Sequence, residues 1–285
     1  MEILYCGKRN ESLSFKEEVK CYTWNSLYLN KEEYDVIYGF DSKNAILRNG
    51  FFYTKSIKEY AVYEKDYKKD CTHILLSDCA FDQNWAYPSL KKIIKPNDRV
   101  CVCALTFFDD TKNERDWNVQ YKQGQGYMYR MNNDVFFKYG IQQIEWIHYF
   151  TDSKEEMLSK ILNSSILYIP GGAPDWFLKR VKECKLKRAL KNYKGTMIGV
   201  SAGAMAQLDE YHITPDDEYP DFKYERGLGC LAGFDVEVHY AKSNQQKQYI
   251  KKVVNEKHIP VYAIGEKGGM IVKDSITLFG NVEVF

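Results

Sequence analysis

Long hydrophobic runs and an excess of charge of either sign are both missing from this chain of 285 residues. No stretch of about eighteen apolar residues occurs, and the opening residues, MEILYCGKRNESLSFKEE, become charged too early for a secretory signal. The 40 basic residues nearly balance the 39 acidic ones, which leaves a net charge of +1. This balance creates no overall field that would attract nucleic acid or an anionic membrane. We therefore expect a soluble, cytoplasmic protein that binds neither.

Metal-binding and redox patterns are missing as well. The eight cysteines are scattered, with no C-x-x-C pair and no histidine cluster at zinc-finger spacing. Cys101 and Cys103 alternate within one apolar run, which places both on one face of a predicted strand and suggests no chemical role for them. Internal repeats and low-complexity linkers are also lacking. We expect reduced, mostly buried thiols and a protein that needs no metal and no cofactor.

From about residue 71 onward, short β-rich apolar runs alternate with amphipathic segments, which is typical of βαβ units on a parallel sheet. Ser153 and Glu156 predict a capping box, and Pro174 predicts the first position of another helix. The last residues predict a terminal antiparallel meander with turns at Asp274-Ser275 and Gly280-Asn281. The predicted fold class is α/β. The runs that predict strands cover residues 73–77, 99–107, 141–150, 165–170, 196–200, 234–240 and 261–265.

Residues 1–70 lack this alternation. They contain nine tyrosines and many charges, with strands predicted at 2–5, 50–54 and 59–64. We interpret them as an N-terminal extension of unknown role: a small α+β cap, a dimerisation element or extra strands at the sheet edge. A homodimer therefore stays open. Residues 71–285 form the second predicted domain, and the boundary depends only on where the βα pattern begins.

The segment TMIGVSAGAMAQL at residues 196–208 places G-V-S-A-G between an apolar strand and the start of a helix. In a nucleophile elbow, a serine occupies a strained turn with small residues two positions before and after it, because neighbouring backbone passes close by. Gly199 and Gly203 fill these positions. The pattern predicts Ser201 as a nucleophile and the amide of Ala202 as a donor to an oxyanion.

A second glycine turn, Gly171-Gly172, follows another predicted strand. Adjacent parallel strands present their carboxyl ends together, so this turn is expected beside the serine. The N–H group of Gly172 would then complete the oxyanion hole.

A serine hydroxyl needs a general base, and the base needs an acid that orients it. His239 ends a predicted strand at the edge where open α/β sheets bind ligands, so we choose it over His212. The acid stays open at this point among four carboxylates. They are Asp216, Asp217 and Glu218, in an acidic loop, and Glu266, at the end of the next strand. Structural roles are expected for His73, His148 and His258.

The order PGG…GVSAGA…DD…HY resembles the serine peptidases that include aspartyl dipeptidase (peptidase E) and cyanophycinase. The resemblance covers about residues 72–285. It implies a fold similar to class I glutamine amidotransferases, with a mostly parallel sheet and helices on both faces. His239 follows Ser201 by 38 residues, similar to the family spacing. The resemblance also implies an acid that falls on Asp216, fifteen residues past the serine, with Asp217 beside it.

Two segments depart from the family pattern. The stretch PGGAP stands where the family has G-G-G-N-T, which removes polar side chains that help to shape the pocket. After His239, Gln245 and Gln246 stand in the region where aspartyl dipeptidase has an arginine-bearing helix. A bidentate carboxylate clamp requires a guanidinium group, so we expect cleavage without a strong demand for amino-terminal aspartate. Lys242 or Lys247 as substitute point charges stays open.

We interpret the chain as a serine hydrolase, a dipeptidase-like peptidase that acts on short peptides or other small amides. Ser201, His239 and Asp216 would form its triad and act through an acyl-enzyme. The alternative is a catalytically silent, amidotransferase-like protein that binds a ligand or recruits a partner. An α/β-hydrolase esterase is disfavoured because the 38 residues between serine and histidine cannot hold its further βα units. A cysteine-dependent amidotransferase would need cysteine at position 201.

Overall fold

The structure, a computed structural model, describes residues 3–6, 19–22, 36–39 and 71–285. The chain divides into two compact units, Met1–Lys68 and Lys69–Phe285. In the first unit, the described backbone forms three parallel strands, β1 (Ile3–Cys6), β2 (Val19–Tyr22) and β3 (Val36–Gly39), in the order β2-β1-β3. β1 overlaps the strand predicted at 2–5. The strands predicted at 50–54 and 59–64 lie outside the described residues.

The second unit is built on an eight-stranded, mostly parallel sheet. The strands of this unit are β4 (Thr72–Leu76), β5 (Arg99–Val102), β6 (Gln143–Trp146), β7 (Ile166–Ile169), β8 (Thr196–Val200), β9 (Glu210–Ile213), β10 (Lys223–Arg226), β11 (Asp235–Glu237), β12 (Val261–Val272) and β13 (Ile276–Val284). The sheet order is β11-β12-β4-β8-β7-β5-β6, with β13 paired to β12. β4, β8, β7, β5 and β6 are parallel neighbours, whereas β12 runs antiparallel to β4 and β13. This topology confirms the predicted α/β class.

Helices cover both faces of this sheet, as expected. Val100 and Val102 of β5 join one apolar cluster with the helices at Tyr87–Leu90 and Glu114–Tyr121. Cys101 of β5 and Cys103, the residue after this strand, join another with the helices at Lys154–Asn163, Pro174–Glu183 and Lys187–Lys191. Burial raises the pKa of Cys101 to about 12, which keeps the thiol protonated. The helices are α1 (Tyr87–Leu90), α2 (Glu114–Tyr121), α3 (Tyr127–Asn133), a 3-10 helix (Asp134–Tyr139), α4 (Lys154–Asn163), α5 (Pro174–Glu183), α6 (Lys187–Lys191), α7 (Ala202–Met205) and α8 (Asn244–Lys257).

Two helix starts follow the sequence signals. At α4, Ser153 Oγ accepts from Glu156 N at 3.2 Å, and the Glu156 carboxylate accepts from Ser153 N at 2.7 Å, which confirms the predicted capping box. Pro174 is the first residue of α5, as predicted. Within the described ranges, no helix combines the length and the apolar character that crossing a membrane requires.

The carboxyl-terminal strands are longer than the predicted meander. β12 and β13 form a hairpin, and the turn predicted at Asp274-Ser275 lies between them. The turn predicted at Gly280-Asn281 is wrong, because both residues lie inside β13, opposite an irregularity in β12 between Ile264 and Gly268. Gly280 has φ = 67°, and a Cβ there would lie 2.0 Å from Lys267 O. Its glycine signal therefore marks a bulge in a strand instead of a chain reversal.

Candidate active site

Ser201 occupies a sharp turn between β8 and α7. Its backbone angles, φ = 51° and ψ = −114°, are rare for a residue with a side chain. The Ser201 N–H group donates to Leu76 O at 2.8 Å, and Ser201 O accepts from Ala204 N at 2.9 Å. The neighbouring strand and the following helix therefore hold the strained serine in one conformation. This is the position at which the G-V-S-A-G pattern places it.

The two glycines around the serine are required by close backbone contacts. A Cβ at Gly199 would lie 2.1 Å from Gly203 O, and a Cβ at Gly203 would lie 2.0 Å from Ile169 O. Both distances are far below van der Waals contact, and both contacts are to backbone atoms that cannot rotate away. The glycine spacing therefore has a steric cause, which is the one the sequence indicates.

His239 follows β11 and reaches the serine from the adjacent part of the sheet. Its Nε2 lies 2.8 Å from Ser201 Oγ. The His239 N–H group donates to Ser77 Oγ at 3.1 Å, and the Ser77 hydroxyl donates to Ile264 O at 2.7 Å. The backbone of His239 has φ = 53°, so the ring is presented from a second strained position. The imidazole stands within proton-transfer distance of the hydroxyl.

The carboxylate that contacts His239 is Glu266, in β12. Glu266 Oε1 lies 2.7 Å from His239 Nδ1. Asp216, which the family resemblance selects, instead accepts from the backbone N–H groups of Glu218 and Tyr219 at 2.9 and 2.7 Å. These bonds close a local turn and direct the Asp216 carboxylate to its own loop. The geometry thus replaces Asp216 by Glu266 beside the histidine.

The other two candidate acids, Asp217 and Glu218, lie in the same exposed loop as Asp216. Among the described residues, no hydrogen bond or ion pair joins this loop to the ring of His239, whose nitrogens contact Ser201 and Glu266. Of the four carboxylates that the sequence leaves open, Glu266 is the one that lies within hydrogen-bond distance of the His239 ring.

The Gly171-Gly172 turn lies against the serine. A Cβ at Gly171 would come within 3.3 Å of Ser201 Cβ. Gly172 has φ = 133°, and a Cβ there would lie 2.3 Å from Thr106 O. Thr106 also holds the turn, because its hydroxyl donates to Gly171 O at 2.8 Å and its carbonyl accepts from Ala173 N at 2.6 Å. Glycine is therefore required at this turn, which comes as close to Ser201 as expected.

Gln246, on α8, contacts the backbone of His239, a role that the sequence does not predict. Its Nε2 donates to His239 O at 3.0 Å, and its Oε1 accepts from Ala241 N at 2.9 Å. The Gln246 N–H group donates to Ser243 Oγ, the cap of α8, at 3.1 Å. Gln246 therefore ties the segment that carries the histidine to a helix start. The signal for it was present, because Ser243-x-x-Gln246 fits the capping-box pattern.

His212 is buried and cannot serve as the base, because both ring nitrogens are occupied. Nδ1 lies 2.8 Å from Asp235 Oδ2, and Nε2 lies 2.8 Å from Glu237 Oε2. Burial alone would lower the pKa of His212, but the bonds to both carboxylates outweigh it and raise the pKa to about 9. His212 lies in strand β9, so the structure supports the choice of His239 over His212.

The remaining histidines have structural surroundings. His73 Nδ1 lies 2.8 Å from Gln207 Oε1, and the ring of His148 packs on Trp117 with centroids 3.9 Å apart. His258 ends α8 in a left-handed conformation, at φ = 55°.

Two cavities flank the pair of Ser201 and His239. The first, of about 680 Å³, is lined by both residues together with polar groups that include Asp78, Arg130 and Asn132. The second, of about 570 Å³, is lined by both residues and by Glu237, and we call it the acidic cavity. Volumes of this size suit a small ligand on either side of the reactive pair.

Comparisons with known proteins identify the family and the fold of the chain. The chain matches the model of Peptidase family S51 over residues 120–277, which is more than half of its length. A candidate peptidase E from Listeria monocytogenes EGD-e shares 16% sequence identity at a TM-score of 0.52, covering 73% of this chain and 96% of that protein. A peptidase from an acI-B1 actinobacterium shares 13% identity at a TM-score of 0.53, covering 75% of this chain and 88% of that protein. These two likenesses show a common fold.

No curated protein matches the sequence. The family match is independent of that result, and its span contains Ser201, His239 and Glu266. The chain therefore belongs to peptidase family S51, the serine-type peptidases of the peptidase E and cyanophycinase kind.

Proposed function

We propose that the protein hydrolyses short peptides through a triad of Ser201, His239 and Glu266 and an acyl-enzyme intermediate. The observation that carries this proposal is the continuous chain of two hydrogen bonds, 2.8 Å from Ser201 Oγ to His239 Nε2 and 2.7 Å from His239 Nδ1 to Glu266 Oε1. These distances support the proposal, because serine hydrolysis requires a nucleophile, a base within reach of it and an acid that orients the base.

The reaction begins when His239 Nε2 takes the Ser201 proton as the oxygen attacks the scissile carbonyl. Glu266 accepts from Nδ1–H, which fixes the tautomer that leaves Nε2 free to receive the proton and stabilises the imidazolium that forms. The imidazolium then donates its proton to the leaving amine. Water, deprotonated by the same ring, releases the acid product and restores Ser201.

Two backbone amides support the negative charge on the carbonyl oxygen. Ala202 is the first residue of α7, so its N–H group has no acceptor within the helix. Gly172 is held beside Ser201 by the contacts of Thr106 with the glycine turn. We assign both N–H groups to the oxyanion hole, where loss of one donor costs about 10²- to 10³-fold in kcat in other serine peptidases.

The size of the substrate follows from the two cavities. Volumes of about 680 and 570 Å³ are of the size that holds a small ligand, or about one or two residues, on each side of the reactive pair. Dipeptides and other short peptides are therefore the proposed substrate class.

A fluorophosphonate activity probe tests the proposal. We expect the wild-type protein to become labelled, Ser201→Ala to resist labelling, and Ser159→Ala, an exposed serine on α4, to label like the wild type. A folded wild-type protein that resists the probe would contradict the peptidase mechanism and favour a silent, ligand-binding role.

A further inference from the structure

The charged side chains that line the acidic cavity are mostly negative. Its lining includes three carboxylates, Asp216, Glu218 and Glu237, and the reactive pair. Among the described residues that line it, none is lysine or arginine. A negatively charged group that entered this cavity would find no cation other than a histidine, whereas a positively charged group would find several acceptors.

Glu237 is the carboxylate in this lining that the fold holds most tightly. It is only 5% exposed. Its Oε2 already accepts from Thr214 Oγ1 at 2.7 Å and lies 2.8 Å from His212 Nε2. Both contacts go to the same oxygen, so Oε1 is the atom that remains to receive a ligand. A buried carboxylate with one committed and one uncommitted oxygen is a preformed acceptor.

The surroundings of Glu237 leave a net negative charge. His212 lies between Asp235 and Glu237, and its raised pKa keeps the ring protonated at neutral pH. One positive charge then faces two negative charges inside the protein. A buried, uncompensated charge is costly, and a cation that bound at Glu237 would offset it.

We infer that the acidic cavity is the subsite for a cationic group of the peptide, with Glu237 Oε1 as its acceptor. The cation is either the protonated α-amino group of the substrate or the side chain of a lysine or arginine. This inference rests on the proposed function, because it assigns specificity to the same reactive pair. It also explains why the segment around Gln246 needs no guanidinium to hold an acidic side chain.

Binding to the inactive Ser201→Ala protein tests the inference without turnover. Calorimetry would compare Lys-Ala with norleucine-Ala, which has a neutral side chain, and with N-acetyl-Lys-Ala, which lacks the α-ammonium charge. We expect Lys-Ala to bind at least about tenfold more tightly than one of the two neutralised peptides, as a charge-assisted hydrogen bond in a partly buried site requires. Weaker binding of norleucine-Ala identifies the side chain as the cation, and weaker binding of the acetylated peptide identifies the α-amino group.

The variant Glu237→Gln, made in the Ser201→Ala protein, should abolish this preference, because glutamine keeps an oxygen for Thr214 and His212 but loses the charge. Asp235→Asn is the matched control. It removes one carboxylate charge from the same histidine but does not line the cavity. We expect it to weaken the preference less than Glu237→Gln does, because the acceptor that lines the cavity keeps its charge.

Equal binding of the three peptides by the Ser201→Ala protein would overturn the inference, even if Glu237→Gln failed to fold. A preference that survives in folded Glu237→Gln would overturn it as well. Failure of the proposed function gives a different result, namely the absence of fluorophosphonate labelling in the wild type.

Discussion

Replacing Glu266 by glutamine tests which carboxylate serves His239. The variant keeps the shape and a hydrogen-bond acceptor but removes the charge that stabilises the imidazolium. The attraction between a unit charge on the ring and the carboxylate oxygen 2.7 Å away is about 1.5 kcal/mol in water and about 6 kcal/mol at an effective dielectric constant of about 20. The Glu266 side chain is 59% exposed, so the aqueous value is the better guide. We expect a loss of about 1.5 to 2 kcal/mol in transition-state stabilisation, or about 10- to 30-fold in kcat/KM.

The matched control is Asp216→Asn, which removes the same charge from the acid that the family resemblance selects. Asparagine Oδ1 can still accept from the N–H groups of Glu218 and Tyr219, so the loop should keep its turn. The assay is the second-order rate of inactivation by a small neutral fluorophosphonate, because that probe does not depend on the charge of the acidic cavity. We expect a change below about threefold for Asp216→Asn. A large loss in Asp216→Asn together with normal reactivity in Glu266→Gln would refute the triad derived from the distances.

Three further outcomes are expected. Gln246→Met should lower kcat by about tenfold and change KM less, because the backbone carbonyl of His239 loses its hydrogen bond to the glutamine side chain. Gln245→Met, on the same helix, should leave kcat nearly unchanged, and equal effects of the two variants in a steady-state assay would contradict this role. Gly203→Ala should destabilise the protein by more than about 2 kcal/mol in urea unfolding, because its Cβ would meet Ile169 O; unchanged stability would show that the helix can shift. The raised pKa of His212 contributes stability that is complete below about pH 6.5 and lost as the pH rises through about 9. The free energy of unfolding should therefore fall by up to about 3 kcal/mol between pH 6.5 and 9.5, and a flat profile over that range would contradict a protonated His212.

Much of the site could be predicted from the sequence because steric and topological rules fix it. Gly199 and Gly203 are explained by contacts to backbone. His239 was preferred to His212 because parallel strands place their carboxyl ends at one edge, and the structure places it 2.8 Å from Ser201. Local sequence was sufficient for these features, since each depends on a strand end or on a close approach within one turn.

The choice of the acid could not be made from spacing alone. Asp216 and Glu266 are both plausible by distance along the chain, and the family resemblance favours Asp216, whereas the structure brings Glu266 within 2.7 Å of His239. The register decides, because β11 and β12 are parallel with Glu237 opposite Ala263. Two residues past Glu237 is His239, and three residues past Ala263 is Glu266, so the two side chains meet. A sequence does not state which residues of two strands stand side by side.

The buried group of His212, Asp235 and Glu237 is not predicted by the sequence for a related reason. Its residues come from two strands, β9 and β11, that are separated along the chain. The available signal was the polar alternation in FDVEVHY, where Asp235 and Glu237 share one face of a strand that is buried. Charges on a buried face need partners, and only the fold shows that His212 is the partner.

The irregularity in β12 has a consequence for how such a site can change. The strand is anchored at its start by β11 and at its end by β4, and the paired residues skip from Ile264 to Gly268. Glu266 lies in that unpaired interval, between one segment of β12 that pairs with β11 and another that pairs with β4. Glu266 can therefore be substituted without removing a paired residue between β12 and β13. The proposed acid and the pairing that stabilises the sheet are thus separate features of one strand.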